Sequence, residues 1–146
     1  SILCVHKKGF FGKIVSIFDN GTGVNHVAFE INGIVYEMDI DGISARTLED
    51  YEKHFTIVSR HNNLPKLEYW KVSDYIRSVK HTKYDWLRSI LWILRAFIRK
   101  DFSETRMNCV QFVENIFKNQ GHWIFPNKNL HPYQIQEFLF NNYPNI

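Results

Sequence analysis

The chain has 146 residues, of which 45% are apolar and 23% are charged, and its net charge is +3. This length and composition are typical of one globular domain over residues 1–146 and exclude a disordered or fibrous protein. The chain holds no apolar run as long as the roughly 20 residues that are needed to cross a bilayer. The apolar stretch among its first residues is too short for a signal peptide.

The charge is unevenly distributed along the chain. Residues 1–75 hold 8 Lys/Arg and 10 Asp/Glu, whereas residues 76–146 hold 10 and 5, so the two parts carry −2 and +5. The basic part could face an anionic partner such as a membrane surface, nucleic acid or a cell-wall polymer. Because the sequence contains neither a block of like charges nor a nucleic-acid-binding motif, it argues against nucleic acid as the partner.

The first half of the chain has the residue pattern of β structure. Asn32-Gly33 is its strongest turn signal, because both residues tolerate a positive φ angle. The predicted elements are strands over residues 2–5, 24–31, 34–38 and 55–60, and a short helix over residues 47–53 with Thr47 as its N-cap.

The second half reads mainly as helix. Asn108 precedes a run of apolar residues at helical spacing and Gly121 follows it, which predicts a helix from Cys109 to Asn119. Pro132 suits the first turn of a last helix. The predicted helices are residues 73–79 capped by Ser73, 85–100, 109–119 and 133–140. Together with the strands they predict an α+β fold.

The two cysteines, Cys4 and Cys109, make no disulfide framework, and neither they nor the seven His have the spacing of zinc ligands. We therefore expect no metal site and no cofactor. Cys4 lies in an apolar run and is predicted to be a buried strand residue.

Cys109 is predicted to occupy the first position of its helix, where its backbone N–H has no partner within the helix. The positive end of the helix dipole stabilises a thiolate there, and the thiolate is the form that attacks carbonyl carbons. The same N–H is a candidate donor to an oxyanion. The alternative is a small apolar residue between helix and sheet, which is the commoner state of a helical cysteine.

His26 and Glu37 could complete such a site, the imidazole as a base for Cys109 and the carboxylate as the group that orients it. Direct pairing about the hairpin turn places Glu37 opposite Phe29 or Glu30, so its contact with His26 requires a diagonal or a bulge. The alternatives are a core histidine bonded to a backbone carbonyl and a carboxylate on a solvent-facing side of the strand.

The predicted helix over residues 85–100 carries Arg88, Arg95 and Arg99 along one face. The simplest interpretation is a solvated face. The same face could instead lie on the anionic headgroups of a membrane as a peripheral contact, or it could dock a partner.

In their order along the chain, these segments resemble the circularly permuted papain-like cysteine hydrolases. This is the permuted NlpC-like group that includes lecithin:retinol-acyltransferase-like proteins. Residues 25–29 (Asn-His-Val-Ala-Phe) resemble the family's His-containing strand, residues 33–37 (Gly-Ile-Val-Tyr-Glu) its next strand, residues 84–86 (Tyr-Asp-Trp) the start of the helix before the nucleophile, residues 108–113 (Asn-Cys-Val-Gln-Phe-Val) its Cys-helix, and residues 131–132 (His-Pro) the start of its final helix.

The resemblance extends from about Leu3 to Leu139 and implies a permuted papain-like fold. Such a fold has an antiparallel sheet or partial barrel packed against the nucleophile helix and further helices. The resemblance also implies that Cys109 is the nucleophile, that His26 is general base and then general acid, and that Glu37 orients the imidazole.

The activity that the resemblance implies is hydrolysis of an amide or ester bond through a thioester acyl-enzyme, first of all in cell-wall peptides. Substrate contacts are expected from Tyr84, Asn25 and Asn108. The alternatives are a membrane-associated acyltransferase or lipid hydrolase, and an inactive binding module of the same fold. We expect a soluble protein, either cytoplasmic or delivered to a cell wall within a larger assembly, and the oligomeric state stays open.

Overall fold

The computed structural model of the protein describes residues 1–7, 21–84, 106–126 and 130–144. Five strands form one antiparallel sheet in the order β4-β3-β2-β1-β5. These strands are β1 (Ile2–His6), β2 (His26–Ile31), β3 (Ile34–Asp39), β4 (Gly42–Thr47) and β5 (Thr56–His61). The described residues also form four helices: α1 (Leu48–His54), α2 (Tyr69–Val79), α3 (Cys109–Lys118) and α4 (Pro132–Asn142).

The path of the chain through the sheet places the first strand near its middle. Strands β2, β3 and β4 follow one another as a meander, and the chain then crosses through α1 to add β5 at the opposite edge, beside β1. The predicted α+β class is therefore confirmed. The sheet is open, with β4 and β5 at its two edges, and is not closed into a barrel.

The β2–β3 hairpin closes on the predicted turn, in which Asn32 has a φ of 52° and Gly33 a φ of 77°. Phe29 pairs with Tyr36, and continuing this register sets Glu37 across from Ala28. The prediction that Glu37 lies opposite Phe29 or Glu30 is therefore wrong, because the turn closes directly on the pair Ile31–Ile34. Glu37 lies diagonally across from His26 on the same face of the sheet.

Two of the four helices begin where their caps predict. Thr47 Oγ1 accepts a hydrogen bond from the N–H of Asp50, 3.2 Å away, and so caps α1. Asn108 caps α3 through a reciprocal capping box with Gln111. The predicted last residue of α3, Asn119, is one residue beyond the observed end at Lys118. Gly121, with a φ of 81°, follows shortly after the helix, as predicted.

Helix α2 begins at Tyr69, four residues before the predicted cap Ser73, which lies inside the helix. Its N-cap Glu68 makes no side-chain capping bond. The Gln120 side chain instead accepts from the N–H of Glu68 at 2.8 Å and donates to its carbonyl at 3.3 Å. A residue distant in sequence thus fixes this end of the helix, and no local pattern shows it.

Three short elements were not predicted from the pattern. β4 extends the meander, while Lys83–Tyr84 (β6) and Arg106–Met107 (β7) pair in parallel as a separate two-stranded ribbon. The predicted helix over residues 85–100, with its three arginines, lies outside the described residues. No helix within the described ranges is long and apolar enough to cross a membrane.

The sheet has a separate apolar cluster on each face, because alternate residues of a strand point to opposite sides. One face packs against α3 and α4, and its cluster includes Cys4, Val27 and Phe29. The other face is covered by α1, where the α1-side cluster consists of the buried residues Leu3, Val5, Ala28, Val35 and Tyr51.

The cap of α3 should be measurable as stability. We expect Asn108→Ala to lower the free energy of unfolding by about 1 kcal/mol, because the N–H of Gln111 loses its acceptor, which lies 2.9 Å away. Urea denaturation of both proteins measures the difference. Asn108→Asp keeps an acceptor oxygen at the same place and should retain most of the stability. An equal loss in the two variants would contradict the capping role.

Candidate active site

The site lies where the first residue of α3 meets the first residue of β2. Helix α3 packs against β2 and β3 through its buried apolar face. This packing places Cys109, at the first helical position, beside His26, which begins β2. Both residues are 5% exposed, so the sulfur and the imidazole meet in a region with little water.

Two groups of β2, the imidazole of His26 and the backbone N–H of Val27, lie close enough to the sulfur of Cys109 to lower the pKa of its thiol. Nε2 of His26 lies 2.8 Å from Oε2 of Glu37. Since Nε2 is engaged by a carboxylate, which can only accept, Nδ1 is the ring nitrogen left to face the sulfur. The structure thus brings together the three residues predicted for the site, in the order sulfur, imidazole, carboxylate.

Glu37 is the most densely bonded group of the site and is 1% exposed. Besides His26, its Oε2 accepts from the hydroxyl of Tyr51 at 3.1 Å and from Nζ of Lys7 at 3.1 Å. Its other oxygen, Oε1, accepts from the hydroxyl of Ser44 at 3.3 Å. A carboxylate with this many donors is held both in its orientation and in its anionic form.

These contacts oppose the effect of burial on the pKa values of Cys109 and His26. Burial acts to lower the pKa of His26, but the charge of Cys109 and hydrogen bonds to Cys109 and Glu37 raise that pKa to about 9. Burial acts to raise the pKa of Cys109, but the charge and the hydrogen bond of His26 outweigh it and lower that pKa. Both shifts favour a thiolate beside an imidazolium over the neutral pair.

The carboxylate that supports this ion pair stays ionised in strong acid. Burial acts to raise the pKa of Glu37, but the hydrogen bond and charge of His26, followed by those of Lys7, lower it to about 2. Tyr51 has the opposite shift: burial, then the charge of Glu37, raise the pKa of its hydroxyl far above the ordinary value. Tyr51 is therefore a permanent donor to Glu37.

The second cysteine, Cys4, allows a comparison of two buried thiols within the same protein. Cys4 is fully buried in β1 and, as predicted, contributes to the core. Burial raises the pKa of its thiol to about 12, although a hydrogen bond with Ser59 acts to lower it. The contrast with Cys109 shows that a cationic partner, and not the degree of burial, determines which thiol is activated.

The residues predicted to contact substrate have structural roles in the described part of the molecule. Asn108 is the cap of α3. The side-chain amide of Asn25 exchanges two hydrogen bonds with the backbone of Lys7, at 2.8 and 3.0 Å. The backbone of Tyr84 pairs in the parallel ribbon. Contacts of these three residues with a substrate stay a prediction.

Sequence reasoning missed three residues that donate to Glu37, namely Ser44 on β4, Tyr51 and Lys7. Tyr51 lies on α1 and reaches Glu37 from the side of the sheet opposite α3, while Lys7 follows β1 and reaches it along the sheet. The amphipathic pattern of α1 could have indicated Tyr51, since it is the one buried residue of that helix. For Lys7 the pattern offers no signal, because its neighbours follow from the strand order.

The donor set of the site is one thiol, one imidazole and one carboxylate that is already bonded to an ammonium and a phenol. Within the described ranges, no three His, Cys, Asp or Glu side chains are arranged to hold a metal ion. No protein family, curated protein or solved structure matches the chain. Functional inference therefore rests on the chemistry of the site.

The ion pair should be detectable by alkylation. At about pH 6.5, where an ordinary thiol is almost entirely protonated, we expect iodoacetamide to modify Cys109 but not Cys4 in the folded protein. Peptide mass spectrometry distinguishes the two sites. His26→Ala should slow modification of Cys109 by roughly tenfold or more at this pH, because the thiolate loses its counter-ion. A rate that follows an ordinary thiol titration would argue against the pair.

The ionised Glu37 should also appear in acid stability. Its folded pKa of about 2 lies below its ordinary value of 4.5, so the stabilisation is complete above pH 4.5 and is lost as the pH falls towards 2. The contribution is on the order of 3 kcal/mol. Urea unfolding across this pH range should show a smaller decline for Glu37→Gln than for the unmodified protein.

The matched control for that measurement is Glu49→Gln. Glu49 also accepts from a lysine, Lys53, but both side chains are exposed on α1. Its removal should leave the acid decline unchanged. Equal declines in the unmodified protein and in Glu37→Gln would show that Glu37 contributes nothing to acid stability.

Proposed function

We propose that this protein is a cysteine hydrolase that cleaves an amide or ester bond through a thioester acyl-enzyme on Cys109. The observation that carries the proposal is the continuous set of contacts from the Cys109 sulfur through His26 to Glu37, beginning at a helix N-terminus. Nucleophile, base and orienting group are the three parts that nucleophilic acyl transfer requires.

In the first half of the proposed reaction, the thiolate of Cys109 attacks the carbonyl carbon and the C–O double bond opens to an oxyanion. The backbone N–H of Cys109, which has no partner within the helix, is the candidate donor to that oxygen. As the oxyanion collapses, the bond to the leaving amine or alcohol breaks. The imidazolium of His26 gives its Nδ1 proton to the leaving group, and a thioester remains.

In the second half, neutral His26 takes a proton from a water molecule, whose oxygen attacks the thioester carbonyl. Collapse of this second intermediate breaks the carbon–sulfur bond and releases a carboxylic acid. The thiolate of Cys109 and the imidazolium of His26 are restored, so the protons balance over the cycle. Glu37 keeps Nε2 protonated and Nδ1 directed at the sulfur throughout.

The fold proposal belongs with this chemistry. The site residues occur in the order His26 on β2, Glu37 on β3 and Cys109 on α3, which is the order of the circularly permuted papain-like hydrolases and the reverse of papain's. We propose that the open sheet, with α3 packed against it, is a fold of the circularly permuted papain-like type. The proposal is supported by the order of the site residues and by the contacts among them.

The substrate class follows from the same resemblance. Peptide amides of a cell wall are the first class to test, and acyl lipids or acylated proteins are the second. The membrane-associated alternative depends on Arg88, Arg95 and Arg99, which lie outside the described residues. An inactive binding module would retain the fold, and the described site gives no support to it, because its cysteine has a hydrogen-bonded imidazole.

Acylation by a small activated ester tests the proposal whichever substrate is the natural one. We expect p-nitrophenyl acetate to transfer its acetyl group to Cys109 at about neutral pH, because the thiolate is already formed. Intact-mass and peptide mass spectrometry should find one hydroxylamine-sensitive acetyl group on Cys109. A panel of cell-wall muropeptides, phospholipids and peptides then identifies the substrate by product formation.

Three variants sharpen this experiment. Cys109→Ala should abolish acylation and turnover, whereas Glu37→Gln should reduce them less, because His26 keeps its contact with the sulfur. Cys4→Ala should acylate like the unmodified protein, since that thiol is buried and protonated. Acetyl transfer that persists in Cys109→Ala, or no transfer at all, would refute the assignment.

A further inference from the structure

Lys7 lies beside the site although it touches neither the sulfur nor the imidazole. It follows β1, and its side chain is 13% exposed. Nζ donates to Oε2 of Glu37 at 3.1 Å and to Oδ2 of Asp39 at 2.5 Å. It also lies 4.8 Å from the ring centroid of Phe55, a distance typical of a cation–π contact.

The backbone of Lys7 is fixed by the residue that immediately precedes His26. Asn25 accepts from the N–H of Lys7 through Oδ1 at 2.8 Å and donates from Nδ2 to its carbonyl at 3.0 Å. The N–H of Asn25 in turn donates to the carbonyl of Val5 at 3.1 Å. These bonds extend the β1–β2 pairing beyond the strands through the side chain of Asn25. They therefore fix the position of Lys7 relative to His26, the residue that follows Asn25.

The charge of Lys7 reaches both members of the reacting pair. Glu37 carries the ammonium group of Lys7 and the imidazole of His26 on the same oxygen, Oε2. The positive charge of Lys7 acts to lower the pKa of Cys109, because it favours the thiolate, and also to lower the pKa of His26, because it opposes the imidazolium.

We propose that Lys7, held in place by Asn25, is a positioning residue that fixes Glu37 on His26 and sets the pH range in which the thiolate–imidazolium pair exists. The inference rests on the proposed function, because it assumes that Cys109 and His26 are the reacting pair. It assigns Asn25 a role in the site that is indirect: Asn25 orders Lys7, Lys7 orders Glu37, and Glu37 orders the imidazole.

Besides Lys7, the charged or titratable groups around the Cys109–His26 pair come from two elements. Within the described residues they are Glu37 and Asp39 on β3 and Tyr51 on α1. Of these, Tyr51 stays neutral and Asp39 is bonded to Lys7. Lys7 is thus a second cation, besides His26, beside the two carboxylates of β3 at this end of the sheet.

Lys7→Met is the informative variant, because methionine keeps an unbranched stem against Phe55 but removes the ammonium group, with its charge and its hydrogen bonds to Glu37 and Asp39. The pair exists between a lower pH limit, at which Cys109 ionises, and an upper limit, at which His26 loses its proton. Without the ammonium group, both limits should move to higher pH, each by roughly one pH unit. Lys7→Arg retains the cation and should keep both limits near those of the unmodified protein.

Glu37→Gln should shift the upper pH limit in a direction that distinguishes a loss of charge from a general loss of order in the site. It removes an anion from His26, so the upper limit should move to lower pH, opposite to the shift in Lys7→Met. Asn25→Ala keeps the lysine but releases its backbone, and should shift both limits upward by less than Lys7→Met. This variant also tests the proposal if Lys7→Met does not fold.

The measurement is the ultraviolet absorbance of the thiolate as a function of pH, together with the rate of alkylation by iodoacetamide. Subtracting the titration of Cys109→Ala removes the signal of Cys4 and of the tyrosines. Lys53→Met is the matched control, because it also breaks a lysine–glutamate pair, but on the exposed face of α1. Its two pH limits should equal those of the unmodified protein.

The outcomes separate this inference from the one on which it rests. If the unmodified protein forms no thiolate at neutral pH, the proposed function itself is wrong. If the thiolate forms but Lys7→Met leaves both limits unchanged, or shifts them no more than Lys53→Met does, only the role of Lys7 is overturned. Opposite shifts of the upper limit in Lys7→Met and Glu37→Gln support it.

Discussion

The burial of one carboxylate, that of Glu37, constrains the rest of the structure. Removing an ion from water costs several kcal/mol unless hydrogen bonds and an opposite charge compensate it. Glu37 receives this compensation from four parts of the chain: Lys7 after β1, His26 on β2, Ser44 on β4 and Tyr51 on α1. Each of these parts must reach its native position before the carboxylate is satisfied. The pairing of the sheet and the packing of α1 therefore also place the groups that hold Glu37 against His26.

The two faces of the sheet contribute differently to this arrangement. The face that packs against α3 supplies the apolar surface that seats Cys109, since Val27 and Met38 belong to its cluster. The opposite face would expose Glu37 to water if α1 did not cover it. The α1 crossover places Tyr51 over that face, and water is thereby excluded from the carboxylate that orients His26. Helix α1, which connects the two edge strands β4 and β5, is thus also part of the site.

Local chemistry accounts for what could be predicted from the sequence. The turn at Asn32-Gly33, the cap at Thr47 and the cap at Asn108 each depend on residues within four positions of one another, and all three occur as predicted. The position of Cys109 at the start of its helix follows from the last of them. What could not be predicted depends on pairing between distant segments. The start of α2 is held by Gln120, and no pattern near Ser73 records it.

The same division applies to the site. The sequence predicted His26, Glu37 and Cys109 as site residues. It could not decide whether Glu37 contacts His26, because a change of one residue in strand register turns a carboxylate to the other face of the sheet. Lys7 could not be predicted, because its contact with Glu37 depends on the pairing of β1 with β2, which brings the residue after β1 within reach of β3. Tertiary pairing, which leaves little local trace, supplied the missing groups.

The two cysteines show how this pairing becomes chemistry. Both thiols are buried, and burial alone raises the pKa of a thiol, as it does for Cys4. Cys109 differs in having His26 and the Val27 N–H as partners, and the charge of Cys109, with hydrogen bonds to Cys109 and Glu37, favours the cationic form of His26. A low-dielectric interior strengthens attraction between charges as much as it penalises an isolated charge. Burial acts to raise the pKa of both thiols, and at Cys109 it is outweighed by the partners that the sheet and α3 bring together.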